Sequence, residues 1–368
     1  MLRLLIENLI LKVIFCPVLA MQVTEHLARF RFIWFLFLLL SVLPQIIFPQ
    51  TYPDKSVNIF LKNGIDLIIK QEYDQAEKVF LQLEKTSKDI PFGKIYLAAV
   101  LIARSYDYQT EYDHEKITAY LEEAKKISER LLKKDPGNIW NKYFYALSEG
   151  YSAYYDALRE KWLSAFSTGV NSVSAFEDCF VSDPDFYEAM IALGSYKFWK
   201  SKKTEFLSWL PFIDDEKELG ISYLQSAVKH SGYNSHLAVY SLVWIYIEQD
   251  QFDKAILLAE DALKNYPESR MFKWGLARAL EDINPEKSIS VYYDILNSYP
   301  VVLKTNKINF ITLKHIIAQQ LVKLKRYKEA LEICNEILNL NGYTEFEYDK
   351  LEERIERVKE LKKSLINR

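Results

Sequence analysis

From Thr51 onward the apolar residues of this 368-residue chain recur at helical spacing, and no stretch alternates in the manner of a strand. Breaks in that pattern coincide with Asp-Pro, Tyr-Pro and Asn-Gly turns. With 25 Tyr, 21 Phe and 7 Trp against 10 Gly and 11 Pro, the chain has many large packing groups and few helix breakers. The body therefore reads as almost wholly helical. Aligned on itself, the chain repeats, most clearly from about Ser235 to Ser269. A first helix there carries Ala238, Leu242, Val243 and Tyr246. A turn at Gln249 to Gln251 leads to Phe252, and a second helix carries Ala255, Ala259 and Ala262 before Pro267. Small residues let two helices of a hairpin approach, while large ones fill the groove to the next hairpin.

Parts of the same signature return elsewhere. Gly64, Tyr73, Ala76 and Phe80 form a first unit; Asp135-Pro136 and Asp183-Pro184 close the second and third; Leu193-Gly194 opens the fourth. Tyr299-Pro300 closes the sixth, and Tyr327, Ala330 and Ile337 belong to a seventh. The pattern resembles the tetratricopeptide repeat, with Val243 in place of the usual Gly and Ala259 in place of the usual aromatic. The resemblance spans residues 55 to 345 and implies an all-α, right-handed α-solenoid of about seven helical hairpins. The middle of the chain, from Asp183-Pro184 through Trp209-Leu210-Pro211-Phe212 to Tyr266-Pro267, is similar to exported bacterial repeat proteins without assigned chemistry. Pro136 and Pro184 lie 48 residues apart, so that unit must hold extended helices or inserted loops. Residues 345–368 read as a charged capping helix with Leu351, Ile355, Val358, Leu361 and Leu365 on one face, closing an array that occupies residues 51–344.

The first 50 residues read as an address. Arg29 and Arg31 precede the apolar run from Phe32 to Phe48, a positively charged region followed by an apolar core. The unbroken apolar part is short for a bilayer span, so a signal peptide outranks a permanent anchor, and membrane contact is expected only through residues 32–48 if they are retained. A start at Met21 gives such a signal a conventional length. These features place the protein outside the cytoplasm, in the periplasm or cell envelope of a bacterium.

The sequence offers little to a catalytic reading. Neither a phosphate-binding Gly loop nor a G-x-S-x-G elbow occurs, and His114-Glu115 lacks the second His of a zincin helix. His230 and His236 read as exposed turn residues without a third ligand, so no metal and no cofactor is expected. Asp214-Asp215-Glu216 reads as the acidic start of a helix. Cys16, Cys179 and Cys334 form no disulfide pattern. A net charge of −3, carried by a body without a basic patch, gives no electrostatic reason to expect nucleic acid.

What remains is the aromatic content. The first helix of each hairpin lines the concave side of a solenoid. That register places Trp140, Tyr143, Tyr151, Trp199, Tyr240, Trp244, Trp274 and Arg278 on or near one groove. The groove is expected to bind a protein or peptide partner as a non-catalytic scaffold; a glycan or lipid ligand is the alternative, and an enzyme is the least supported reading. Mass spectrometry of the protein from its native host is expected to show a chain lacking Phe32–Phe48, or a membrane-bound chain retaining it. A soluble cytosolic form with that segment intact overturns the reading of an export signal.

Overall fold

The structure is a computed structural model in which residues 50–207, 214–300 and 306–366 are described. The apolar run Phe32–Phe48 and the segment Trp209–Phe212 lie outside those residues. The described residues contain fifteen α-helices, one short 3-10 turn at Glu205–Leu207 and no strand. In chain order they are α1 (Lys55–Ile69), α2 (Tyr73–Thr86), α3 (Phe92–Tyr108), α4 (His114–Lys134), α5 (Ile139–Leu158) and α6 (Trp162–Ser182). Then come α7 (Tyr187–Lys203), α8 (Lys217–His230), α9 (Ser235–Glu248), α10 (Phe252–Asn265) and α11 (Arg270–Leu280). The last are α12 (Pro285–Ser298), α13 (Lys307–Lys323), α14 (Tyr327–Leu338) and α15 (Glu345–Ile366). Each helix packs on its chain neighbours, and alternate helices touch as well: α3 with α5, α7 with α9, α9 with α11, α13 with α15. That pattern is an α-solenoid built from helical hairpins. None of the described helices is long and apolar enough to cross a membrane.

The unit between Pro136 and Pro184 is long because its helices are long, 20 residues in α5 and 21 in α6. The terminal helix buries Leu351, Val358 and Leu365 against α13 and α14, with Ile355 and Leu361 partly covered, as its one-sided apolar pattern requires.

Five of the turns inside the hairpins share a backbone device. Gln71, Gln109, Glu160, Asp250 and Lys325 all adopt a left-handed φ, between 52° and 63°. In each case the N–H of the following residue reaches back five positions: Glu72 to Leu67, Thr110 to Ser105, Lys161 to Asp156, Gln251 to Tyr246, Arg326 to Leu321. This is the Schellman closure of a helix C-terminus, which satisfies carbonyls that the helix leaves open. Glycine usually supplies it; here five side chains with a Cβ accept the strain instead.

Close approach between helices follows from small residues. Gly194 of α7 and Gly220 of α8 face each other, and a Cβ on either would sit within 2.7 Å of the other's carbonyl oxygen. Gly64 makes room for the Phe80 ring, which stacks on Tyr96 at 5.0 Å. Ala255 and Ala259 are wholly buried in the α9–α11 region.

Long-range contacts wind the solenoid back on itself. Arg270, at the start of α11, bonds Asp107 at the end of α3 through both Nε (2.9 Å) and Nη2 (2.6 Å). Both side chains are close to fully buried, and the guanidinium also lies over the rings of Tyr299 and Tyr108. Asn309 of α13 donates to the Asp107 carbonyl, and Asn306 donates to those of Tyr108 and Gln109. Early in the chain, the Tyr52 N–H donates to the Tyr233 hydroxyl at 2.7 Å, which in turn donates to Asn58 of α1. The starts of α9, α11 and α13 thus converge on α1 and α3.

One sequence expectation is corrected, and a second, the acidic start of α8, holds with a difference of detail. His236 is not an exposed turn residue: it is 9% exposed at the start of α9, while His230 lies against the Tyr187 ring at 4.8 Å. In the acidic run, Asp215 accepts from the Lys217 N–H, but Glu216, at the N-cap, makes no capping bond. Its carboxylate instead pairs with Lys197 (2.5 Å) and Lys200 (3.6 Å) of α7, which stand close enough to outbid the backbone.

Because a left-handed residue with a Cβ is strained by roughly 1 to 2 kcal/mol, Asp250→Gly is expected to raise unfolding stability by up to about 1 kcal/mol, after the extra chain entropy of glycine. Asp250→Val, β-branched at the same φ, is expected to lower it. Urea unfolding of the two variants checks the order, and a stability order of Val above Gly contradicts the turn geometry.

Candidate partner-binding concavity

The site begins with a buried carboxylate. Glu188, in the first turn of α7, is 4% exposed and has no cation beside it among the described residues. Hydrogen bonds hold it instead. Oε1 accepts from the Ser231 hydroxyl (2.5 Å) and the Tyr233 N–H (2.7 Å), and Oε2 from the Asn234 amide (2.8 Å) and the Tyr143 hydroxyl (3.1 Å). Asn234 also donates to Tyr96 of α3. An ionised group taken from water costs several kcal/mol unless its lone pairs are filled, and here they are. Glu188 thereby joins α3, α5, α7 and the turn before α9.

Tyrosines lead outward from this floor. Tyr151 of α5 lies within the field of Glu188, and burial pushes its phenol up to about 12. One turn on, Tyr154 is 46% exposed, yet its phenol is also pushed well up, first by desolvation and then by Tyr106, Tyr112, Tyr240 and Tyr151. Tyr154 is thus partly open to water while Tyr106, Tyr112, Tyr151 and Tyr240 stand near it. Tyr240 of α9 is pushed up to about 12, mainly by desolvation, with Tyr106 adding and the Trp244 indole opposing. The Trp244 N–H approaches that hydroxyl without completing a hydrogen bond, and the two rings lie 6.1 Å apart. The hydroxyls of Tyr106, Tyr151 and Tyr154 have no hydrogen-bond partner among the described residues. These phenol and indole groups have spare hydrogen-bonding capacity.

The groove residues expected from sequence divide accordingly. Tyr151, Tyr240 and Trp244 come together, joined by Tyr106, Tyr112 and Tyr154, which sequence reasoning missed. Tyr143 is 1% exposed and Trp140 9%; both are interior, packed among Phe92, Phe186 and each other. Their removal from the groove is a correction: the Tyr52 ring fills the space beside Trp140 at 5.3 Å, and Phe92, Phe176 and Phe186 enclose Tyr143. Trp199 is half-buried against Phe198 at 5.2 Å, among the side chains of α7 to α10. Trp274 packs edge-on against Tyr292 at 5.5 Å, and Arg278 is exposed and pairs with Glu281, the residue that follows α11. Neither is joined to the tyrosine wall. Glu188 also escaped the sequence reading, since a glutamate in a helix's first turn ordinarily faces water.

Among the described residues no three His, Cys, Asp or Glu side chains gather as a metal site. A shallow pocket of about 290 Å³ lies between α12, α13 and α14, and both of its cations are paired, Lys314 with Glu336 and Arg326 with Glu329.

The tetratricopeptide repeat family matches residues 237–269, which cover α9 and α10. No curated protein matches the chain. Among solved structures, the chain is similar to a thermophilic tetratricopeptide protein of Thermus thermophilus, at 15% identity over 61% of this chain and 98% of that one, with a TM-score of 0.38. The C-terminal part of a repeat-containing protein of Cytophaga hutchinsonii matches at 17% identity over 79% and 99%, with a TM-score of 0.38. The human IFIT1 dimer with m7Gppp-AAAA matches at 14% identity over 89% and 80%, with a TM-score of 0.44. At such scores the likeness carries no argument about what this chain binds.

Burial holds two histidines neutral: desolvation lowers His236 to about 4, and desolvation with the charges of Arg354 and Arg357 lowers His315 to about 4. A folded value below the unfolded one means the unfolded chain takes up the proton first, so their contribution is complete above about pH 6.5 and is lost as pH falls toward 4. The loss amounts to roughly 2 to 3 kcal/mol per group. Thermal melts between pH 7 and pH 4 are expected to fall in that window, and less steeply in His236→Gln and His315→Gln. An unchanged slope in both variants would show that neither ring is held neutral by burial.

Proposed function

We propose that this protein is a non-catalytic interaction scaffold of the bacterial cell envelope whose concave wall holds an extended, uncharged segment of a protein partner. The helical repeat fold supports the general role, because a rigid curved stack presents side chains from distant hairpins to one ligand. The observation that supports the specific reading is the gathering of Tyr106, Tyr151, Tyr154, Tyr240 and Trp244 near one another, the hydroxyls of Tyr106, Tyr151 and Tyr154 having no partner among the described residues. Tyrosine and tryptophan provide large contact area with few rotatable bonds, and their polar tips suit the carbonyls and amides of an extended backbone. The wall lacks an array of lysines and arginines, so it gives an acidic segment nothing to pair with. Export is proposed from the arrangement of Arg29, Arg31 and Phe32–Phe48.

Truncating a groove aromatic costs on the order of 2 kcal/mol of binding where it dominates an interface, whereas truncating a core aromatic costs about 3 to 5 kcal/mol of stability. Tyr154→Ala and Tyr240→Ala are therefore expected to lose a partner captured from native envelope extract while melting within about 1 kcal/mol of the parent. Tyr143→Ala, from the interior, is expected to do the reverse. Capture unchanged in both Tyr154→Ala and Tyr240→Ala overturns the assignment of the concavity.

A further inference from the structure

The capping helix carries a cation on its buried face. Arg354 follows Leu351 by three residues and precedes Val358 by four, both of them buried, so its stem starts on the side of α15 that packs on α13 and α14. The side chain is partly buried and makes no hydrogen bond or ion pair with any described residue. The acidic residues of the same helix do not answer it: Glu352, Glu353, Glu356 and Glu360 are all exposed. Burial first, and the charge of Arg357 second, press the Arg354 guanidinium below its ordinary value. Arginine does not shed its proton in a protein, so the charge stays. Across the interface stands His315 of α13, 2% exposed, with Nδ1 sealed from water and without a partner. The charges that act on that ring are those of Arg354 and Arg357, and both disfavour its protonation. Arg357 meets Glu353 at 3.6 Å, an exposed pair of the kind that contributes little. Two guanidiniums and a buried imidazole thus meet along one seam, and the carboxylate paired with them stands at its exposed rim.

We infer that the seam between α13 and α15 binds a phosphate group, held by the guanidiniums of Arg354 and Arg357 and by the His315 imidazole. The donors select that chemistry. Each guanidinium presents a planar fork that matches two oxygens of an oxyanion. A carboxylate has two oxygens and one charge, which a single fork fills. A phosphate has the oxygens and the charge to engage two forks and an imidazole N–H together. With Nδ1 sealed, the nitrogen left to donate is Nε2. A bound anion also relieves the repulsion between the two arginines and reverses the field that holds His315 neutral. The site stands apart from the tyrosine cluster and does not rest on the role proposed for it.

The melt of the full chain is expected to rise by about 2 °C or more when sodium chloride is replaced by inorganic phosphate at equal ionic strength. Arg354→Gln removes a repelled charge, so it is expected to melt no lower than the parent in chloride and to lose the rise in phosphate. Calorimetric titration with inorganic phosphate is expected to show binding weakened roughly tenfold or more in Arg354→Gln and at least about threefold in Arg357→Gln, whose exposed side chain the fold does not need. Phosphate is also expected to raise the pH at which the His315 ring titrates by about one unit, read from its ring resonances. Inorganic phosphate and dihexanoyl phosphatidic acid, titrated in parallel, distinguish the sources: much tighter binding of the second assigns the group to a lipid headgroup, equal or weaker binding to a soluble phosphate. An equal melt in chloride and phosphate, a phosphate-dependent rise that survives both arginine variants, or a His315 titration indifferent to phosphate overturns the inference.

Discussion

A carboxylate withdrawn from water needs every lone pair satisfied, and in this molecule one residue imposes that demand on four parts of the chain at once. Glu188 draws Tyr143 from α5, Ser231, Tyr233 and Asn234 from the turn before α9, and through Asn234 the Tyr96 hydroxyl of α3. No cation neutralises it among the described residues, so each donor matters; removing one leaves an acceptor dry, which costs more than the bond contributed. The geometry of the concavity above follows from this requirement, because the helices that carry Tyr151, Tyr154 and Tyr240 are spaced by the distances at which those donors reach one carboxylate.

The second organising feature is the difference between a solenoid held by neighbours and one that also closes across its width. In an open stack, stability is approximately a sum of nearest-neighbour terms. Here Arg270 meets Asp107 and Asn309 meets the same residue's carbonyl, linking hairpins that are far apart in the chain. A buried pair of this kind is weak evidence for net stability, since desolvation offsets much of the attraction. Its bidentate geometry does fix relative position, and position is what a surface assembled from several hairpins requires.

The helices, their hairpin order and the apolar face of α15 were legible in the sequence because each depends on local periodicity. Extended helices between Pro136 and Pro184 were one of two readings that the spacing allowed. The turn at Gln249 to Gln251 was read from the sequence, but its left-handed backbone was not, since Gln71, Gln109, Glu160, Asp250 and Lys325 stand where a glycine would have announced it. Of the residues expected in the groove, Tyr151 and Tyr240 both lie near Tyr154, and Trp244 lies beside Tyr240. Trp140 was assigned to the same face, and it is interior with Tyr52, from outside the repeat, lying against it; Tyr143 is enclosed by Phe92, Phe176 and Phe186. Repeat register assigns a face to a residue; it is blind to a segment that crosses that face. Tyr154 was missed for the complementary reason, since its surroundings come from Tyr106, Tyr112 and Tyr240, which no local pattern associates with it.

The strap formed by Gln50 to Tyr52 bears on how such a molecule can change its length. Tyr52 is wedged among Phe92, Trp140 and Phe144, its N–H meets Tyr233, and Gln50 bonds Asp183 at 2.5 Å. These contacts bridge hairpins that lie 133 to 181 positions along the chain. Repeat arrays ordinarily grow or shrink by duplicating or deleting a whole unit, which an open stack tolerates at any joint. In this one, an added or lost hairpin between α3 and α9 would carry Tyr233 and Asp183 away from the strap and strand the aromatic cluster around Tyr52. The ring of contacts therefore acts as a ruler that counts hairpins, and copy number within that span is fixed by geometry while the stretch from α14 onward remains free to vary.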